Sequence, residues 1–468
     1  MTKILEKGTL THSTLFSLII GVLISVPTYK SSAPIFEFGF SWKEVLSIIF
    51  LSNLIIIAPT WALAKLGINK RKSFPSLLHE NFGESNSKIL SLLRVLMCAI
   101  SSGASLWVAS QILQLTFEDL STFHPSVLSK QRLIGDLPLP TFFELGFYLV
   151  AIIATWNIGR MSIKKIGKFS ILTSSILAGG CLLIFLITKM RTESLGPLFR
   201  AVLPLQPHVT ISPWLPILAS SSVWQHFLPA VPDYSKSLKM NGNKVALFLL
   251  LIPVLTTLFS LLAIGCSSIV LEVYGVEVWD PLTLLGQSSS LLIAVSGKVS
   301  ILLSLLLLNI LGNLAGGINA LRHLAPQASL NTIYLTFFIL SLIILPTATL
   351  ASWNVAALQF MYFLSCIMAA SIGVIIADLN FLNSSEKFKL GYQVKVRQKI
   401  SISCLIISLF PAAFNFLGSI TQDLPPDSRL KDLTALELNF WWLSLALGFM
   451  LPLIAHIPVV FKQRNIFR

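Results

Sequence analysis

The sequence predicts an all-α integral membrane protein of twelve helices, whose first ten form two inverted five-helix repeats and whose last two are an addition. Three observations carry this: composition, the spacing of the apolar runs, and a pair of matched interruptions. Of 468 residues, 54% are hydrophobic and 12% charged, with a mean hydropathy of +0.79, whereas soluble domains are about a quarter charged. Twelve apolar runs reach the roughly 20 residues that a helix needs to cross a hydrocarbon core. Two of them, each opening one half of the array, are broken in the middle. A break in a bilayer frees N–H and C=O groups that lipid cannot satisfy, so it survives only where it lines a protein-walled cavity. Matched breaks in two halves place that cavity between the repeats.

In order, the first span (12–36) breaks at Ser25-Val26-Pro27 and continues through Thr28-Tyr29 without a small-residue cleavage site, so it is not read as a signal peptide. The second to fifth spans fall at 42–66, 88–116, 139–161 and 168–189. The connection at 117–138 carries Pro125 and Pro138 and is too short for a core of its own; a partly ordered cap is expected there. The sixth span (208–232) is interrupted at Trp224-Gln225-His226 and the prolines that follow. The seventh to tenth lie at 243–275, 297–322, 329–349 and 351–379, and the last two at 399–419 and 438–461. The polar, basic stretch 380–398 separates a ten-helix core, 1–385, from a two-helix appendage, 386–468.

Charge gives orientation. With a cytoplasmic N-terminus, about two-thirds of the 34 Lys and Arg fall in inside loops, so both termini are expected in the cytoplasm of a multi-pass cell-membrane protein. The formal +14 is then topological, and no nucleic-acid partner is implied, because the charges are spread over short loops rather than gathered on one face. The five cysteines sit inside spans without CxxC or Cys/His spacing, which predicts packing rather than a disulfide framework, metal or cofactor. No clustered catalytic groups of the kind an intramembrane enzyme needs are visible.

Several polar residues lie inside spans. Asn309 and Asn313 are four apart on the eighth, and Trp107 and Gln111 four apart on the third, so each pair shares one helix face. Buried amides are costly unless paired, so both faces are expected to look inward, either as interhelical hydrogen bonds or as ligand contacts. Trp42, Trp214, Trp353, Trp441 and Trp442 lie near span ends, where interfacial anchoring is the simpler role. Glu144 and Glu272 are close to span ends, and Asp233 and Lys236 lie where the sixth span ends, as anchors or as gating groups.

The text GVLISVPTYKSSAPIFEFGFSW at 21–42, SNLIIIAP in the second span and SFPSLLHENFG after it resemble the nucleobase:cation symporter family, in the branch with hydantoin, allantoin, uracil and cytosine permeases. The resemblance continues in Trp107-x-x-x-Gln111, in Trp224 nine residues before Asp233 within PDYSKSLK, in YGVEVWDPLTLL at 274–285, and in Asn309-x-x-x-Asn313 followed by Asn319 and LAP. It implies the ten-helix LeuT-like core, alternating access, and a secondary active transporter for a nucleobase or similar planar heterocycle. It also implies that Trp107 and Trp224 sandwich the substrate while Gln111 and Asn313 bond its edge. A flat heterocycle asks for such a set: aromatic faces for stacking and amides offering both donor and acceptor.

Ser25, Val223 and His226 stand where this chain differs from relatives, and with Asn309 they complete the expected substrate site. Ser25 reaches less far than the larger polar residue usual there, and His226 could carry a proton. Sodium-coupled relatives ligate Na⁺ near the positions of Gly21 and Ile24 on the first span, and through one carbonyl and two hydroxyls on the eighth. Here those eighth-span positions are Ser304, Leu307 and Leu308. A hard cation wants oxygen ligands and leucine side chains supply none, so the usual Na⁺ site is expected to be degenerate, leaving proton coupling or facilitated transport. The expected partners are the heterocycle, a proton or other cation, and lipid, with the protein monomeric. The same pocket also fits a vitamin precursor such as a hydroxymethylpyrimidine or pyridoxine, or a membrane sensor that binds without transporting.

Overall fold

A computed structural model of the chain describes residues 11–120, 132–134, 137–139, 142–190, 192, 195–199, 214–221, 224, 227–238, 242–275, 277–286, 291–342, 351–378, 392–411, 413 and 437–466. It is a helical protein with one short antiparallel hairpin, β1 (Arg132–Ile134) paired with β2 (Leu137–Leu139), in the connection expected to form a cap.

The first span is three pieces: α1 (His12–Leu23), α2 (Val26–Lys30) and α3 (Ala33–Glu37). The Thr11 hydroxyl caps α1 by accepting from the Thr14 N–H at 3.3 Å. The chain then turns 45° across the break. Ser25 is extended there (φ −146°, ψ 164°) and Pro27 sits in the first turn of α2, where its missing N–H does no harm. Helix α4 (Trp42–Lys70) starts from a capping box in which the Ser41 N–H donates to Glu44 Oε2 at 2.8 Å. Helix α5 (Phe74–Leu120) kinks at Gly83, whose φ of +79° lies in a region that side chains rarely adopt. A short leading segment is thereby set apart from the long span.

Helices α6 (Phe142–Gly159) and α7 (Ile163–Lys189) follow. The sixth span is again in pieces: α8 (Trp214–Ser221), a 3₁₀ turn at Leu228–Ala230, and α9 (Val231–Ser235). Then come α10 (Gly242–Leu249), α11 (Leu251–Tyr274), α12 (Pro281–Gly286) and α13 (Leu291–Leu308). Next is a π-helical turn at Asn309–Leu314 that runs into α14 (Ala315–Leu324). The chain ends with α15 (Leu330–Leu342), α16 (Ala351–Ile376), α17 (Tyr392–Ser408) and α18 (Glu437–Ile466). Among the described residues, five helices are long and apolar enough to cross a membrane by themselves, the bent first span makes a sixth, and five shorter apolar helices accompany them.

The two broken spans pack on different helices and meet at a shared cavity. α1 lies against α7, so closely that a Cβ on Gly21 would overlap the Ser170 side chain. α4 packs along α8, α9, α10 and α11, and α5 packs along α6, α13, the π turn and α14. At the far side α18 crosses α16 through Gly373 and Gly448, where either Cβ would run into the other helix's backbone. Trp441, expected at the interface, is fully buried instead, edge-on to Trp442 at 5.0 Å. All five cysteines are buried free thiols.

Candidate functional site

Each of three interruptions contributes a wall of one polar cavity of about 340 Å³. The first break contributes Val22, Ser25, Thr28 and Ser31, and the Ser25 and Thr28 hydroxyls bond each other at 3.2 Å. From the sixth span come Trp224 and Phe227, their rings edge to face at 5.9 Å. Trp224 is held by its indole N–H, which donates at 2.8 Å to Asn53 Oδ1 on α4. The Asn53 amide is fixed in turn by donating to Ile49 O at 2.8 Å, so the ring position is set by a second helix. Gly312 makes room for this arrangement: a Cβ there would come within 3.2 Å of the Phe227 ring.

The third wall is the π turn. A π turn inside an α-helix often marks a functional site, and this one places Asn309 and Asn313 together in the cavity. Asn313 Nδ2 donates to Asn309 Oδ1 at 3.2 Å. That leaves Asn309 Nδ2 and Asn313 Oδ1 buried without a partner. One donor and one acceptor are thus left buried on neighbouring side chains, and a buried polar group without a partner costs roughly 1–3 kcal/mol. A ligand edge with the opposite pattern satisfies both.

Helix α5 completes the cavity with Ser101 and Ser105. Trp107 and Gln111, the pair expected there, do not line it. Trp107 packs against Tyr148 of α6, with ring centroids 6.4 Å apart, and Gln111 is exposed. The reason is helical phase. Trp107 lies two residues beyond Ser105, about 200° around the helix, so one α5 face cannot present both.

Of the other expected residues, Ser25, Trp224, Asn309 and Asn313 line the cavity together with Leu308. Val223 and His226 lie outside the described residues. Gly21 is buried against α7 and Ile24 is half-buried at the break. Ser304 and Leu307 are buried, Ser304 Oγ without a partner. Glu144 is half-buried and Glu272 exposed, and neither lines the cavity.

Three buried charged residues among the described ones escaped the sequence reading, Arg94, Lys298 and Asp378. Arg94 Nη2 meets Asp233 Oδ2 at 2.6 Å, with the side chains 1% and 0% exposed. The Phe74 N–H donates to the other Asp233 oxygen at 3.1 Å, and the guanidinium lies 4.8 Å from the Phe74 ring centroid. This ties α9, the end of the broken sixth span, to α5. The available signal was spacing: Arg94, Cys98, Ser101 and Ser105 recur at four, three and four residues, one face of a helix.

A second, smaller cavity of about 140 Å³ shares Val22, Trp224 and Phe227 with the first. Its other walls are chiefly apolar, among them Leu15, Leu18, Ala64 and Leu311.

The family model described as permease for cytosine/purines, uracil, thiamine, allantoin matches residues 5–421. Among curated proteins the chain is 24% identical to a purine-uracil permease NCS1 of Arabidopsis thaliana, over 86% of this chain and 69% of that one. It is 19% identical to an allantoin permease of Bacillus subtilis, over 81% and 77%. Its fold is similar to that of Mhp1, a nucleobase-cation-symport-1 family transporter solved in a closed conformation with bromovinylhydantoin bound. The TM-score is 0.70 at 15% identity, with 98% of this chain and 93% of that one covered.

Proposed function

We propose that this chain, which belongs to the family of permeases for cytosine/purines, uracil, thiamine and allantoin, is a secondary active transporter that carries a neutral planar heterocycle through the cavity between its two broken spans. The reading rests on one observation above the others: the unpaired donor of Asn309 and acceptor of Asn313 beside the Trp224 ring. An imide or amide edge, as in uracil or hydantoin, pairs with that couple, and the flat face stacks on the indole. No described lining residue is charged, which favours neutral cargo. Alternating access then consists of rocking the broken spans against the scaffold built on α5 and α13.

The coupling ion follows from the eighth span. Leu307 is buried and Leu308 faces the cavity, so that segment offers neither hydroxyl that a hard cation would need. Transport is therefore proton-coupled or facilitative, by a monomer in the cell membrane with both termini cytoplasmic. The test is uptake of labelled uracil, cytosine, adenine, hypoxanthine, allantoin and hydantoin into proteoliposomes under a Na⁺ gradient, a proton gradient or neither. Saturable uptake without a Na⁺ requirement is expected. A Na⁺ requirement would overturn the coupling reading, and no uptake or binding of any compound would overturn the substrate reading.

A further inference from the structure

The smaller cavity, of about 140 Å³, plays no part in the transport reading, and its walls are of another kind. Fifteen of its nineteen described lining residues are aliphatic or phenylalanine, and none is charged. They come from elements all around the two breaks: Leu18 from α1, Ala64 from α4, Leu249 from α10, Ile252 from α11 and Leu311 from the π turn. The other four carry a polar hydrogen, and each hydrogen is already engaged. Thr60 donates to Ile56 O at 2.7 Å, Tyr234 to Leu311 O at 2.8 Å, Ser235 to Pro232 O at 3.5 Å and the Trp224 indole to Asn53 Oδ1 at 2.8 Å.

A buried water needs two to four polar partners, and these walls offer no free donor. Water therefore gains little by entering. Protein cavities of about 150 Å³ lined by Leu, Ile and Phe exclude water and take up benzene or xenon, and size and lining match that case here. An apolar guest supplies the dispersion contacts that the walls of such a space otherwise lack. An ion or a hydrogen-bonding heterocycle is unmatched, because its own polar groups would go unpaired. The two cavities thus select opposite chemistries although they share Val22, Trp224 and Phe227.

We infer that this cavity is a second binding site, separate from the central one, for a neutral apolar molecule the size of one hydrocarbon ring, and that its occupant restrains transport through the shared wall of Trp224 and Phe227. An occupant favours the arrangement of α1, α9 and α10 that encloses it, since a ligand shifts an equilibrium toward the state it binds better. Substrate still reaches the central cavity. The effect then falls on turnover and leaves substrate affinity alone. The site stands on its own geometry, whereas its effect on uptake rests on the transporter reading above.

The experiment uses the full chain in two arms. In xenon-pressurised crystals, xenon is expected beside Leu18, Ala64 and Leu249; ordered water there, or no xenon, would overturn the site. In proteoliposomes, fluorobenzene should lower the maximal uptake rate of the best panel compound about threefold or more, with the half-saturating concentration unchanged. A competitive pattern would mean that the two cavities are not separate sites. Ala64→Leu fills the space and should abolish both xenon binding and inhibition, and Ala64→Val, the milder filling, should weaken both. Inhibition that persists undiminished in these variants would come from the bilayer and overturn the restraint on transport. If no panel compound is taken up, the transporter reading falls while the xenon arm still decides the site.

Discussion

Val22, Trp224 and Phe227 have a cavity on either side, and the two differ in how their polar groups are treated. In the smaller one the hydroxyls are occupied: Thr60 donates to Ile56 O at 2.7 Å and Tyr234 to Leu311 O at 2.8 Å. Just beyond it the Asp233 carboxylate is closed by Arg94 and the Phe74 N–H. In the larger one Asn309 Nδ2 and Asn313 Oδ1 are left open. The two cavities that share Val22, Trp224 and Phe227 therefore differ: the unpaired amides of the larger one come from the π turn of the eighth span, while on the other side the Asp233 carboxylate is bound even though Arg94 Nε and Nη1 stay without partners. Buried polar groups are normally paired, so on the proposed transporter reading the open amides are where a substrate would bind. The closed side holds the span in place.

If that contrast is right, substitutions on the two sides separate fold from function. The largest effect belongs to the closed side. Arg94→Ala strands the Asp233 carboxylate, and loss of one partner of a buried pair costs about 3–5 kcal/mol. Thermal unfolding in detergent should drop steeply, and the double substitution Arg94→Met with Asp233→Leu should recover much of the loss. If the single variant is as stable as the parent, the pair is not a structural tie.

On the open side, Asn309→Leu with Asn313→Leu removes two unpaired groups at once. The melting temperature should hold or rise, while uptake falls by about ten- to a hundredfold through loss of two ligand hydrogen bonds. Unfolding of this variant would mean the amides are structural. Next, Trp224→Ala should weaken the best panel ligand by the roughly 1–3 kcal/mol of a base stack, read as a rise in half-saturating concentration. Asn53→Leu, which only releases the indole, should cost less than Trp224→Ala; equal losses would show that Asn53 touches the ligand itself. The smallest effect is expected from Ala64→Val in the apolar cavity: a stability gain of about 1 kcal/mol or less from added burial, measured by the same thermal assay.

Much of this architecture is legible in the sequence, because its causes are local. Prolines and polar residues in the middle of apolar runs announce the two breaks, and Asn309 and Asn313 announce their shared face by being four apart. The pair Trp107 and Gln111 carries the same spacing but is not among the residues that line the described cavity. Spacing says that two side chains share a face but not which way the face points, and only phase against Arg94, Ser101 and Ser105 decides that. The role of Arg94 is not legible, since its partner lies 139 positions away. Trp441 likewise sits near a span end by sequence, and only the approach of α16 buries it.

The crossing of α18 over α16 has a consequence of its own. At Gly373 and Gly448 the two backbones touch with no side chain between them, which leaves no gap for a lipid tail. The boundary drawn at residue 386 therefore separates two segments whose helices are in direct contact. At that point α18 is fastened to α16, like a handrail bolted to a stair.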